Sequence, residues 1–359
     1  MKRSRRPAAI VAAAVLLSLT LGGCSFVGDA GQVFGILAAD AEKQRKLADV
    51  VSELERIDGV ESASSTFAAD GPSGDEAQLQ VTVSAAATKE QAREIATVTD
   101  DAFFSSVELA ETVPLLTIRI AGNKNSVLTR SFFNHSDEEF ANDFEYWRTI
   151  QEVIGTELSM SLTPGFVTST YERTFSAPEG VDAVRTAVKV IDNIEKLEAV
   201  DDETNNSTIW AFAGMRSYPH LPSADVVGLL DDIRGTFPLL DHSGIPENPG
   251  PEFEYPEGVV LMWNKPSHEQ SAMAELLITQ REYRDDDWRD VIEAGVRSAQ
   301  VPGLNFRYAS GEQQFQLHTS TCDGTIYESS DDQKLFESVL ASGTEFLDGA
   351  GPGACIPER

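Results

Sequence analysis

The stretch Ala77-Gln-Leu-Gln-Val-Thr-Val-Ser-Ala85, followed closely by Thr88-Lys-Glu-Gln91, carries the reading of the fold. Leu79, Val81 and Val83 alternate with Gln78, Gln80, Thr82 and Ser84, the period of two that marks a strand with one buried face. Thr88 and Gln91 stand where a capping box needs a hydroxyl and an amide, so a helix is expected to open there with Ile95, Val98, Ala102 and Phe103 inward. Upstream, Val60–Phe67 is expected as a partner strand across the turn Asp70-Gly-Pro-Ser-Gly74. A helix with Leu47, Val50, Val51, Leu54 and Ile57 on one face precedes it, and Gly59 is placed to end that helix. The apolar run Val33-Phe-Gly-Ile-Leu37 reads as a first strand, and Leu115–Ala121 as the last of this group.

The same order then recurs. Val127–Phe133 reads as a strand, Ser136-Asp-Glu-Glu139 as a second capping box, and Phe140, Phe144, Trp147 and Ile150 fall at helical spacing. Leu158, Met160 and Leu162 alternate before Pro164-Gly165, and Thr168–Phe175 is the returning strand. Ser176-Ala-Pro-Glu179 reads as a third capping box, opening a helix with Val181, Val184, Val188 and Ile191 inward; Ile209–Ala213 closes the group. A looser third pass has a doubtful first strand, then a helix from Ser223 and strands at Val259–Trp263 and Ala274–Gln280. Asp285-Asp-Asp287 is expected to open a helix before the strand Leu304–Ala309. A strand at Gln314–Thr319 and a helix near Asp331–Ser342 finish the chain. The closing strands Ile118-Arg-Ile-Ala-Gly122, Trp210-Ala-Phe-Ala-Gly214 and Phe306-Arg-Tyr-Ala-Ser-Gly311 support a repeat. In element order each pass resembles the ferredoxin-like β-α-β-β-α-β unit, which implies an α+β fold of tandem units, each an antiparallel sheet covered by helices on one face. The units would span 33–122, 123–214 and 215–311, with 312–359 as a strand, a helix and a tail. Such a fold carries no function by itself.

The beginning of the chain is of a different kind. Lys2, Arg3, Arg5 and Arg6 precede an apolar run from Ala8 to Leu21, and no acid occurs before residue 24. This is the pattern of a secretory signal, shorter than the ~20 apolar residues of a membrane-spanning helix. Leu21-Gly22-Gly23-Cys24 resembles the lipobox of bacterial lipoproteins. The resemblance covers residues 1–24. It implies that 1–23 is removed, that the Cys24 sulfur carries a diacylglyceryl group, and that acyl chains hold the protein on the outer face of the cell membrane. Residues 24–32 would then be a lipidated spacer. With Cys24 lipidated, Cys322 and Cys355 remain, and in an oxidising compartment they are expected to pair. That bond would close a loop worth about 3–4 kcal/mol and staple the glycine-rich tail.

Charge and motif searches narrow the function. The net charge is −30, and loss of four cationic residues with the signal takes it to −34. Such a body repels phosphate backbones, which excludes nucleic acid as a partner, and the acyl chains must hold it at the membrane. The five histidines, His135, His220, His242, His268 and His318, stand at no ligand spacing, and no H-E-x-x-H or C-x-x-C occurs, so no metal or cofactor is expected. Asp201-Asp-Glu-Thr-Asn-Asn206 lacks the glycine of a calcium loop, and Asp231-Asp232 belongs to a helix's polar face. The acidic, proline-rich loop 241–257 carries Pro246, Pro249, Pro251, Phe253 and Tyr255, and is the candidate recognition loop. The expectation is a non-catalytic extracytoplasmic binding or scaffold lipoprotein for a protein or envelope ligand. The alternatives are a hydrolase or transferase with a site assembled from scattered Asp, Glu and His, and a carrier of a hydrophobic molecule. Replacing Cys24 with Ala is expected to move the protein from the membrane to the soluble fraction; retention in the membrane pellet would refute lipid anchoring.

Overall fold

The computed structural model describes residues 27–317 apart from 72–73, 124, 132–135, 165–170, 200–207, 219, 241–255, 265–273, 282–287, 300, 302–303 and 311–312, together with 337 and 341. Its first element is a helix, α1 (Val27–Leu54). The strand expected at Val33–Leu37 is therefore part of a helix, and the expected spacer is helical from Val27. A five-residue apolar run has no period of its own, and the alanines and long-chain residues that follow it extend the helix. Leu47, Val50 and Leu54 are buried as their spacing requires, and Gly59, with a φ of 88°, turns the chain into the sheet.

The first hairpin, β1 (Val60–Gly71) and β2 (Gly74–Val83), leads into α2 (Lys89–Ser105). Both arms of the Thr88 capping box are present: the Gln91 N–H donates to Thr88 Oγ1, and the Thr88 N–H donates to Gln91 Oε1 at 2.9 Å. The second hairpin, β3 (Val113–Ile120) and β4 (Leu128–Ser131), leads into α3 (Asp137–Ile154), whose Ser136 cap makes the same reciprocal pair with Glu139. The third is β5 (Ser159–Pro164) and β6 (Tyr171–Ser176), followed by α4 (Ala183–Asp192) and the short α5 (Ile194–Glu198). Here the expected Ser176 capping box gives way to Asp182, whose side chain accepts from the Arg185 N–H. Gly180 at a φ of 82° and a bond from the Val181 N–H to the Pro178 carbonyl make a turn first, which delays the helix.

The fourth hairpin, β7 (Thr208–Phe212) and β8 (Met215–Tyr218), contains a strand left doubtful by the sequence. Gly214 makes it possible: its φ is 78°, and a Cβ there would lie 2.7 Å from the Leu239 side chain. Then follow α6 (Ala224–Ile233), the hairpin β9 (Gly258–Asn264) and β10 (Ala274–Gln280), α7 (Trp288–Ala299), and the last hairpin, β11 (Leu304–Ser310) and β12 (Gln313–Leu317).

The twelve strands among the described residues belong to one sheet, in sequence order from β1 to β12. Strands within a hairpin pair antiparallel, while β2–β3, β4–β5, β6–β7, β8–β9 and β10–β11 pair parallel across a helical connection. The α+β class stands, but the pairing corrects the arrangement expected from the sequence. A ferredoxin-like unit splits its βαβ element with another strand, whereas here each connecting helix joins adjacent strands of one mixed sheet. The sheet runs unbroken through positions 122 and 214, where units were expected to meet, because the flanking strands there are hairpin partners.

Right-handed crossovers that all step the same way along a sheet place their helices on the same face. The core agrees. Helix residues Leu54, Ile95, Phe144, Trp147, Val190, Leu230 and Val291 share one buried cluster with strand residues Leu79, Val81, Leu116, Ile118, Met160, Leu162, Phe175, Leu261, Leu276 and Phe306. Trp147 is fully buried, and its Nε1–H donates to the Leu158 carbonyl at 2.5 Å. Ser136→Ala is expected to lower stability by about 1 kcal/mol, the worth of a helix cap, measured by urea unfolding. Ser176→Ala, which removes no cap, is expected to stay within ~0.5 kcal/mol of the parent.

Candidate functional site

The second face of the sheet is where alternation places the polar residues, and over β1–β6 one row along it is uniform. Register sets Ser64 beside Gln80, Gln80 beside Thr117, Thr117 beside Thr129, Thr129 beside Ser161 and Ser161 beside Thr174. This row crosses six strands and, at ~4.8 Å per strand, is about 24 Å long. It carries hydroxyl and amide groups only, in a chain with 58 Asp and Glu residues. Every one of its side chains is partly or fully exposed. The flanking rows are mixed: Thr66, Gln78, Leu115 and Ser131 lie on one side, where Thr163 also pairs with Glu172, and Ser62, Thr82 and Arg119 lie on the other. A hydroxyl both donates and accepts, so such a row offers hydrogen bonds of either polarity without charge.

The other half of this face is different. Ile209, Val260, Leu277, Thr279 and Ala309 are buried, and Val260, Leu277 and Leu240 form a small apolar cluster with Met262 against it. Burial raises the Glu275 carboxyl above its ordinary range there, opposed by Arg307. The neutral polar surface thus belongs to the N-terminal half of the sheet.

Beneath the polar row, on the helix side, lie two buried arginines. Arg130 on β4 and Arg173 on β6 both pair in register with Leu162 on β5. Arg130 makes a bidentate contact with Asp100 on α2, at 3.1 and 3.0 Å, and lies over the Phe140 ring. The Arg173 Nε lies 2.6 Å from Asp143 Oδ1 on α3, and its guanidinium covers the Tyr146 ring. Both arginines and Asp143 are at most 2% exposed. Each pair ties a helix to a strand, and desolvation makes either partner costly without the other. Burial is the largest influence on Asp100, pushing its carboxyl up to about 7 against the pull of Arg130, with a hydrogen bond from the protonated Asp100 to the Asp137 carboxylate adding to the rise. The Tyr171 hydroxyl is raised as well, by burial first and by Asp143 second.

These pairs hold α2 and α3 to the sheet. His220 is the one histidine among the described residues, and its carbonyl accepts from Ser217 Oγ. No group of three His, Cys, Asp or Glu among the described residues is placed to hold a metal ion. A wide cleft of about 360 Å³ at the end of α3 is lined by Ala85, Asn123, Arg148, Gln151 and Glu152 among others. Three of its polar residues bond within the chain: Gln151 Oε1 accepts from Asn123 Nδ2 and Ser126 Oγ, and Arg148 donates to the carbonyls of Ala85 and Ala87.

Cys24, Cys322, Cys355 and the loop residues Pro246, Pro249, Pro251, Phe253 and Tyr255 lie outside the described residues, as do Asp201–Asn206 and Asp285–Asp287. Asp231 and Asp232 are on α6, paired with Arg234 and Arg297 at 2.5 Å each. The polar row and the buried arginines were missed by sequence reasoning. The arginines had a visible signal, since Arg130 and Arg173 occupy inward positions of their alternating strands. The row had none, because it exists only once strands are set side by side. Comparison with known protein families, curated proteins and solved structures finds no match for this chain.

Two outcomes follow from the buried charges. Asp143→Leu is expected to cost about 3–5 kcal/mol by stranding Arg173, and Asp143→Leu with Arg173→Met is expected to recover most of it, read by urea unfolding. For Asp100, the folded-state pKa of about 7 lies above the ordinary 3.8. Raising pH through this window ionises the unfolded chain first, so stability falls between those two values and levels off above them. A pH series of unfolding free energies is expected to show that decline, and Asp100→Asn to flatten it.

Proposed function

We propose that this protein is a non-catalytic, lipid-anchored binding protein of the extracytoplasmic membrane face, and that it holds a neutral, polyhydroxylated envelope polymer on the second face of its sheet. The observation that carries this reading is the uncharged row from Ser64 to Thr174 on an acidic body. Acidic ligands are repelled by the body as a whole, and cationic ones find no carboxylate in the row. An extended neutral polymer matches both the length and the bonding capacity of the row. A rigid sheet suits such a ligand, since groups fixed on strands lose little freedom on binding.

The tandem organisation supports this use in a modified form. Each repeat is best read as a hairpin followed by a helix, and each of the first three hairpins adds two strands of hydroxyl or amide positions. The signal and Cys24 supply the location. Cys322–Cys355 pairing supplies a staple suited to an oxidising compartment.

The test is co-sedimentation of the purified chain with insoluble envelope polysaccharide. The parent is expected to bind, and Thr117→Val, Thr129→Val and Thr174→Val together are expected to weaken binding at least ~10-fold, from three lost hydrogen bonds of about 1 kcal/mol each. Valine keeps the shape and strand preference of threonine, so the fold is expected to hold. A parent that does not bind, or a triple variant that binds equally well, would overturn the reading.

A further inference from the structure

β1 stands at the end of the sheet, paired with β2 alone among the described strands. It is 12 residues long, with the sequence VESASSTFAADG, and has neither proline nor lysine. Exposed edges are normally defended by short length, by proline or lysine, or by bulges. Here register shifts occur between Val60 and Ser62 and between Ala68 and Gly71, which leaves Ser62–Ala68 as a regular, neutral segment between them. One detail shows which backbone groups face out. The Ala63 N–H contacts the Glu55 carboxylate, at the end of α1, at 3.5 Å, so it points away from β2. By the period of two, the N–H groups of Ser65 and Phe67 face the same way.

We infer that this edge pairs with the same edge of a second copy of the chain, antiparallel and centred on Ser65. Three observations select a second copy. The regular segment has its midpoint at Ser65, so self-pairing in this register, Ala63 with Phe67 and Ser65 with Ser65, uses all of it and forms about six backbone hydrogen bonds once the Ala63 N–H exchanges the Glu55 carboxylate for the Phe67 carbonyl of the second copy. Such a contact is isologous and closes as a two-fold dimer. Glu61 falls opposite Ala69, so Ser62–Ala68 of the two copies meet with no charged side chain among the paired residues. On the helix side, the part-exposed Ala63 and Phe67, which pack against the core, gain cover from their counterparts. On the second face, Ser64 meets Thr66, and the polar surface runs on across the dimer.

The experiment is oxidative cross-linking of the purified full chain, followed by non-reducing electrophoresis. Opposed residues of a hydrogen-bonded antiparallel pair have Cα atoms ~5.5 Å apart, within the span of a disulfide. Ser65→Cys is therefore expected to give a dimer band absent from the parent, and Ala69→Cys to give none. Adding Ala63→Pro removes an outward N–H and spares the ladder to β2; it is expected to reduce the Ser65→Cys dimer at least ~10-fold with the circular dichroism spectrum unchanged. A Ser65→Cys chain that stays monomeric would overturn the inference, as would equal bands from the two cysteine positions. The outcome is independent of polysaccharide binding, which the triple valine variant tests separately.

Discussion

Handedness is the constraint on which this structure rests. A helix joining two adjacent parallel strands crosses in the right-handed sense, and five crossovers taken in the same direction all return over one face. The described connecting helices all lie on that side, while on the opposite face Leu240 packs against Val260 and Leu277. Over β2–β6 the buried apolar residues go beneath the helices, and what alternates with them becomes a single broad surface. A split arrangement of the same elements would have divided that surface among separate small sheets. One sheet of twelve strands joins short polar stretches from β1 to β6 into a continuous row.

Buried charge sets how firmly the helices are held. Arg130 and Arg173 project into the layer where aliphatic residues would ordinarily pack, and each draws a carboxylate down from a helix. Such pairs add little net stability, but separating the partners is expensive, so they fix the position of α2 and α3 over the strands. The aromatic rings of Phe140 and Tyr146 complete the lodging of each guanidinium. The consequence for the opposite face is rigidity beneath β4–β6, where the polar row crosses the middle of its length.

Much of the local structure was legible in the sequence. The Thr88 and Ser136 boxes are read from residues three apart, and the bonds that define them form within one turn, so nothing distant can override them. The alternation of Leu79, Val81 and Val83 fixes a face in the same local way. Val33–Leu37 misled because a short apolar run lacks a period, and Ser176 misled because the Pro178–Gly180 turn intervenes before the helix. The Met215–Tyr218 strand was obscured because only the hairpin at Gly214 shows that so short a segment pairs.

What the sequence determined by itself is therefore the class of most elements, the caps that begin two of the long helices, and the inward face of most strands. Each depends on residues within a few positions of one another, where steric and hydrogen-bonding preferences act directly. Only the tertiary structure decided which strand lies beside which. That choice turned the expected separate units into one sheet, brought Arg130 and Arg173 to Asp100 and Asp143, and aligned Ser64 with Thr174 across six strands. Pairing is a long-range outcome of crossover handedness and of burying one common face, and a sequence pattern of period two is the same for every possible neighbour.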